Sequence, residues 1–297
     1  MSIKERLQNY ITYIFEEQRR KMQFDIQAAS LKAGFLDRKE LGITTHHYVE
    51  GKNVVVSLTT YGKRLHEVYL TIESIMQQTY KANKIVLWLT EDLKDSIPQT
   101  LQLQMERGLE IRYCEDIRSY KKLIPSLRTY PDDIIITIDD DVIYNIDTLE
   151  LLIKTHKKHP SSVACCWAMK MTFNESGTLK DYRHWQNLSL EETPCMTSFP
   201  IGCAAILYPP QSLDAEVLNK SIFMDICKYA DDIWFKAMAL KNDTPTVVVP
   251  QQIHEHQYYD NNLWQDKGLT QTNINRNMND VQLKAVFEKY DLYKKLK

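Results

Sequence analysis

Short apolar runs with no polar alternation constrain this chain more than any other feature. Asn53 to Leu58 reads NVVVSL, Lys84 to Leu89 reads KIVLWL and Asp133 to Ile138 reads DIIITI, with a weaker run from Leu109 to Tyr113. A strand with one wet face alternates apolar and polar residues, so runs of this kind belong to strands covered on both faces. Between them the spacing changes. Leu65 to Gln78 carries Val68, Ile72, Ile75 and Met76 at helical intervals, and Ile97 to Arg107 and Tyr120 to Tyr130 read as further helices. Buried strands crossed by helices predict an α/β fold: a Rossmann-like, open, mostly parallel sheet flanked by helices, with ligands beyond the carboxyl ends of the strands.

The second half of the chain continues with less regularity. A helix is expected over Ile146 to His159, strands over Val163 to Met171, Gly202 to Tyr208 and Thr246 to Val249, and helices over Asp231 to Lys241 and Asp280 to Tyr290. The polar, aromatic-rich stretch Thr172 to Pro200 between two of these strands reads as a binding loop. Ahead of the first strand, residues 1–50 form an N-terminal helical extension in which Leu7, Tyr10, Ile11, Ile14 and Phe15 recur with helical spacing. It is expected to pack on the domain that follows, 51–297. Such a face serves packing or oligomerisation, or else docking on a membrane surface.

Composition narrows the function. The 37 Lys and Arg against 39 Asp and Glu leave a formal charge of -2, without the basic excess of a phosphate-backbone binder, so no nucleic-acid partner is expected. The six cysteines contain no CxxC, which indicates neither a zinc module nor a dense disulfide framework. No apolar stretch approaches the ~20 residues needed to span a bilayer, and a cytoplasmic location is expected.

Two acidic groups carry the chemistry. Asp139, Asp140 and Asp141 follow directly on the apolar strand IIITI, where three adjacent carboxylates repel one another unless a cation or ordered donors compensate them. They read either as a magnesium or manganese site completed by substrate phosphate, or as a solvated acidic turn. Asp231 and Asp232 open the helical segment DDIWFKAMAL. One of them either caps that helix or removes a proton from an incoming hydroxyl.

Several segments in order resemble the GT-A-type glycosyltransferases, in particular cytoplasmic bacterial enzymes of capsule and surface-polysaccharide assembly. They are VVVSLTTYGKRL (Val54 to Leu65), ESIMQQTYKANKIVLWL (Glu73 to Leu89), SYKKLIPSL (Ser119 to Leu127), YPDDIIITIDDDVIY (Tyr130 to Tyr144), GCAAILYPP (Gly202 to Pro210) and ADDIWFKAMAL (Ala230 to Leu240). The resemblance implies a nucleotide-sugar donor half over 51–145 and an acceptor half over 146–297. Asp139 and Asp141 match the ends of a DXD motif, with Asp141 the direct metal ligand, Asp139 nearer the ribose and Asp140 in the variable place. Thr59, Tyr61 and Arg64 fall where base and ribose are held, and Asp92 where an acidic contact to the base is common. Lys121 and Lys122 would face the diphosphate, and Gly202 would let the backbone approach the sugar. Asp232 matches the base of an inverting displacement, with Asp231 beside it.

The resemblance also implies a late histidine, His254 or His256, in the metal shell, and aromatic faces for the acceptor among Trp167, Tyr182, Trp185 and Trp264. Asn279 and Asp280 match a late polar pair, or else cap the last helix. The reaction implied is Mn2+- or Mg2+-dependent transfer from a nucleoside-diphosphate sugar, UDP being the expected nucleotide, to a hydroxyl of a glycan or lipid-linked glycan. Peripheral contact with the inner membrane face would suit such an acceptor. A metal-dependent nucleotidyltransferase or phosphatase, and a non-catalytic glycan-binding subunit, are the alternatives.

Overall fold

The computed structural model describes residues 3–187, 189, 191–250, 258–260 and 277–296. Its centre is a seven-stranded sheet. The four expected strands of the first half are β1 (Val54–Thr59), β2 (Lys84–Leu89), β3 (Leu109–Tyr113) and β4 (Ile134–Thr137). They pair in parallel, β1 lying between β2 and β4, with Val56 opposite Ile85 on one side and Ile136 on the other. Both faces are closed, as the apolar runs require. Val54, Val56, Leu58, Ile85, Leu87 and Ile136 face one core, shared with α2 (Val68–Met76). Val55, Val86 and Trp88 face Tyr130 on the other side. Each such side chain contributes roughly 2 kcal/mol relative to exposure.

α3 (Gln99–Met105) and α4 (Ile124–Thr129) make the crossovers. β5 (Val142–Tyr144) follows β4 after a turn that holds the three aspartates, and leads into α5 (Thr148–Lys158). The expected strand Val163 to Met171 is two strands. β6 (Val163–Cys165) stays in the main sheet, while β7 (Ala168–Lys170) leaves it to pair with β8 (Ser198–Pro200). The stretch between them is more than a loop. Trp185 and Phe199 are buried with ring centroids 5.3 Å apart, because aromatic area of this size is stabilised by closure from water.

Gly202 to Tyr208 also divides, into a 3₁₀ turn over Gly202–Ala204 and β9 (Ile206–Tyr208). β9 runs antiparallel between β4 and β6, so its amino end lies beside the carboxyl end of β4. α6 (Lys220–Ile226), α7 (Asp231–Lys241), β10 (Thr246–Val248), the short β11 (Tyr258–Asp260) and α8 (Met278–Tyr290) complete the fold. The buried α7 and α8 residues Trp234, Met238, Val286 and Phe287 share the second core with Ile135, Cys165 and Tyr208.

The N-terminal extension is one long helix, α1 (Ile3–Lys32). Among the described residues its buried hydrophobic side chains are Phe24, Ala28 and Leu31, which meet Leu70 and Ile143. Leu7, Tyr10, Ile11, Ile14 and Phe15 stay exposed, so the helix packs on the domain through its last turns and not along its length. No helix among the described residues is long and apolar enough to cross a membrane.

Candidate active site

The carboxyl ends of β1 and β4, the amino end of β9 and the first turn of α7 meet at one edge of the sheet. In the turn after β4 the three aspartates have different surroundings. Asp140 is tied down: Thr60 donates its hydroxyl to Oδ2 at 2.5 Å, Arg64 Nη1 donates to Oδ1 at 2.8 Å, and the Asp140 carbonyl accepts from the Thr71 hydroxyl at 3.0 Å. Arg64 Nη2 also lies 3.2 Å from Asp141 Oδ2. Asp139 turns the other way, toward Lys122.

Lys122 is the hub of the site. Its Nζ lies 3.1 Å from Asp139 Oδ1, 3.0 Å from Asp231 Oδ2 and 3.8 Å from Asp232 Oδ1. The turn that carries it, Arg118–Lys122, is fastened to β1, where the Ser57 hydroxyl donates to the Lys122 carbonyl at 2.6 Å. Burial opposes the charge of this ammonium most, yet Asp139, Asp231 and Asp232 outweigh burial and hold its pKa well above the ordinary lysine value. Asp231 and Asp232 are the first residues of α7, whose N-cap is Ala230, so neither serves as the cap. The Gly202 amide donates to Asp232 Oδ2 at 2.9 Å. Asp232 Oδ1 and Asp231 Oδ2 are buried without a hydrogen bond, the contacts with Lys122 being ionic rather than aligned.

Five carboxylates therefore share two cations, Arg64 and Lys122. The imbalance appears as raised pKa values. Burial, followed by repulsion from Asp140 and Asp139, pushes Asp141 up to about 7. Burial also pushes Asp232 up to about 7, with Lys122 opposing it and Asp231 and Asp139 adding to it. Uncompensated negative charge at a strand end fits a divalent cation. Among the described residues no three His, Cys, Asp or Glu side chains form a ready metal cage. A hard ion here would take two carboxylates and complete its shell with water and phosphate oxygen, as Mg2+ commonly does.

The other residues singled out from the sequence are placed as follows. Thr59 donates its hydroxyl to the Trp88 carbonyl at 2.8 Å, within the sheet. Tyr61 is 58% exposed, with the Arg64 guanidinium 5.4 Å from its ring centre. Asp92 is exposed on the 3₁₀ turn Glu91–Ser96 that follows β2. Lys121 pairs with Asp116 at 2.7 Å and does not join Lys122 among the aspartates. Trp185 is core, its indole donating to the Lys180 carbonyl, and Trp167 Nε1 donates to the Asn187 carbonyl at 2.9 Å. Asp280 anchors the loop over residues 172–200 by accepting from the Tyr182 amide at 2.7 Å. His254, His256 and Trp264 lie outside the described residues.

Gly202 has a sharper reason to be glycine than approach to a sugar. A Cβ there would stand 2.6 Å from Asp232 Oδ1 and 2.7 Å from Lys122 Nζ, so the missing side chain makes room for that ion pair. The sequence reading missed Thr60, which holds Asp140, and Tyr144, whose hydroxyl meets the backbone of Asp139. Thr60 lies in TT, and Thr71, which holds the Asp140 carbonyl, in YLT, strings that carry no signal of their own. Tyr144 was visible only as the last residue of the segment YPDDIIITIDDDVIY.

The model of glycosyl transferase family 2 matches residues 56–208, more than half of the chain. The chain belongs to glycosyl transferase family 2. The matched span holds Arg64, Lys122 and the three aspartates and ends ahead of Asp231 and Asp232. Membership bears out the GT-A resemblance read from the sequence. Among solved structures, S. aureus TarS 1-349 is similar to this chain at 14% identity and a TM-score of 0.41, over 70% of this chain. The match covers 60% of the TarS chain. No curated protein matches.

Proposed function

We propose that this glycosyltransferase moves a hexose from a nucleoside-diphosphate sugar, UDP-sugar first among them, to a hydroxyl of a glycan or lipid-linked glycan in polysaccharide biosynthesis. The observation that carries the reading is the convergence of Asp139, Lys122 and the Asp231–Asp232 pair at one sheet edge. Lys122 is the cation nearest a diphosphate seated beyond β4, and its charge is secured by the carboxylates around it. Asp232 takes the proton of the attacking hydroxyl on Oδ1, the oxygen without a hydrogen bond, while Gly202 holds Oδ2. Asp231 balances Lys122. Asp140, through Arg64 and Thr60, fixes the turn on which Asp139 and Asp141 stand. Tyr61, half-exposed beside Arg64, offers a ring for the base.

Asp139 and Asp141 would hold Mn2+ or Mg2+, with His254 as a further ligand, and the ion would neutralise charge developing on the departing diphosphate. A cytoplasmic enzyme peripheral to the inner membrane face goes with a lipid-linked acceptor, and the exposed apolar residues of α1 support that placement. The test is hydrolysis of UDP-glucose, UDP-galactose, UDP-N-acetylglucosamine and their GDP counterparts with and without Mn2+, followed by identification of the nucleotide released. Release of a nucleoside diphosphate is expected. Release of a monophosphate, or none from any donor with or without metal, would overturn the reading.

A further inference from the structure

We infer that Tyr144 is a positioning residue that sets the spacing between the donor-side aspartate and the proton-accepting pair, an inference that rests on the reading of Asp232 as the base. The Tyr144 hydroxyl stands between two backbone segments. It accepts from the Asp139 amide at 2.9 Å and donates to the Cys203 carbonyl at 2.8 Å. Cys203 follows Gly202, whose amide donates to Asp232 Oδ2. Asp232 in turn faces Lys122, and Lys122 returns to Asp139. The contacts form a closed ring: Asp139 backbone, Tyr144 hydroxyl, turn 202–204, Asp232, Lys122, Asp139 side chain.

Three features make the phenol suited to this position. A hydroxyl is the side-chain group that donates and accepts from one atom, so both backbone segments are referred to the same point. The ring is buried in the core beneath the sheet edge, which leaves the oxygen little freedom. The turn it grips also needs a grip. Ala205, the residue closing that turn, has φ 77°, a left-handed conformation costly for any residue with a Cβ and kept only where neighbours impose it. Catalysis depends on such spacing, because displacement of a reacting group by about 1 Å costs on the order of 100-fold in rate.

The test compares Tyr144→Phe with Ser74→Ala. Ser74 accepts from the Tyr144 amide at 3.1 Å, so Ser74→Ala disturbs the same strand while leaving the hydroxyl in place. In Tyr144→Phe, amide exchange by NMR should speed up about tenfold or more at both Asp139 and Gly202, although only Asp139 bonds the missing oxygen. With the UDP-sugar that the wild type hydrolyses fastest, its kcat should fall about 10- to 100-fold with donor KM within about threefold. Ser74→Ala should keep kcat within about threefold. Unchanged Gly202 exchange in Tyr144→Phe, or an equal loss of kcat in both variants, would overturn the inference. The exchange measurement needs no donor, so failure of the donor reading would show separately, as a wild type inert toward every sugar nucleotide.

Discussion

Glu73, in the seam between α2 and α3, and Asp232, at the start of α7, are both carboxylates drawn away from water, and they have been given opposite surroundings. Glu73 accepts from Arg107 at 2.7 and 3.1 Å, from Gln77 at 2.9 Å, from Gln104 at 3.1 Å and from Arg38 at 3.3 Å. Burial pushes its pKa up most, but the hydrogen bonds from Arg107, Gln104 and Gln77 together outweigh it and bring the pKa below the ordinary glutamate value. Asp232 receives one backbone amide and a share of Lys122, and its pKa goes up to about 7. A fully satisfied buried charge is scaffold: here it fastens the connector after α1 to α2 and to the end of α3. A partly buried charge with one enclosed oxygen unmatched is poised for a proton or a substrate that supplies what the fold withholds.

Substitutions at the two carboxylates should fail in different ways. Asp232→Asn is expected to lower transfer by about 10³-fold or more while leaving UDP binding measured by calorimetry nearly unchanged. Substantial turnover in that variant would remove Asp232 from its role. Glu73→Ala leaves Arg107 buried without its carboxylate and should cost about 3–5 kcal/mol in denaturant unfolding, with kcat of the folded fraction close to wild type. A loss of kcat without a loss of stability would erase the contrast. Gly202→Ala places a methyl against Asp232 and Lys122 and should lower kcat about 10- to 100-fold.

The pH dependences should also run in opposite directions. Glu73 has a lowered folded pKa, so its contribution is complete above the unfolded value of 4.5 and is lost as pH falls through the folded value. Asp232 has a raised folded pKa, so the native state holds a proton that the unfolded chain has released, and its contribution declines as pH rises from 3.8 toward about 7. Activity should rise over the upper part of that window, as the proposed base ionises. Urea melts from about pH 2 to 8, with rate profiles over the upper part of that range, using Glu73→Gln and Asp232→Asn as references, separate the two. Lys121→Ala gives the smallest effect: its partner Asp116 is 67% exposed, and donor hydrolysis should stay within about threefold of wild type.

The alternation of buried strands and helices was readable because a strand covered on both faces needs an unbroken apolar run, and that requirement is local. The first-half strands, the acidic turn after β4 and the acidic start of α7 followed from it, as did the family resemblance that the matched residues 56–208 bear out. Errors came where pairing partners are distant. Val163 to Met171 reads as one strand until β8 draws its second half into another sheet, and the 172–200 stretch looks like a loop until Trp185 and Phe199 are seen to need each other.

The site divides in the same manner. Sequence alone determined that carboxylates stand at a strand end and a helix start, and that two adjacent lysines precede them. Tertiary structure decided that Lys122 enters the acidic group while Lys121 pairs with Asp116, that Arg64 and Thr60 hold Asp140, and that Tyr144 joins Asp139 to the turn beside Asp232. A shift of one residue redirects a side chain on a turn. Which neighbour it then meets depends on segments tens of residues away, and no local pattern records that.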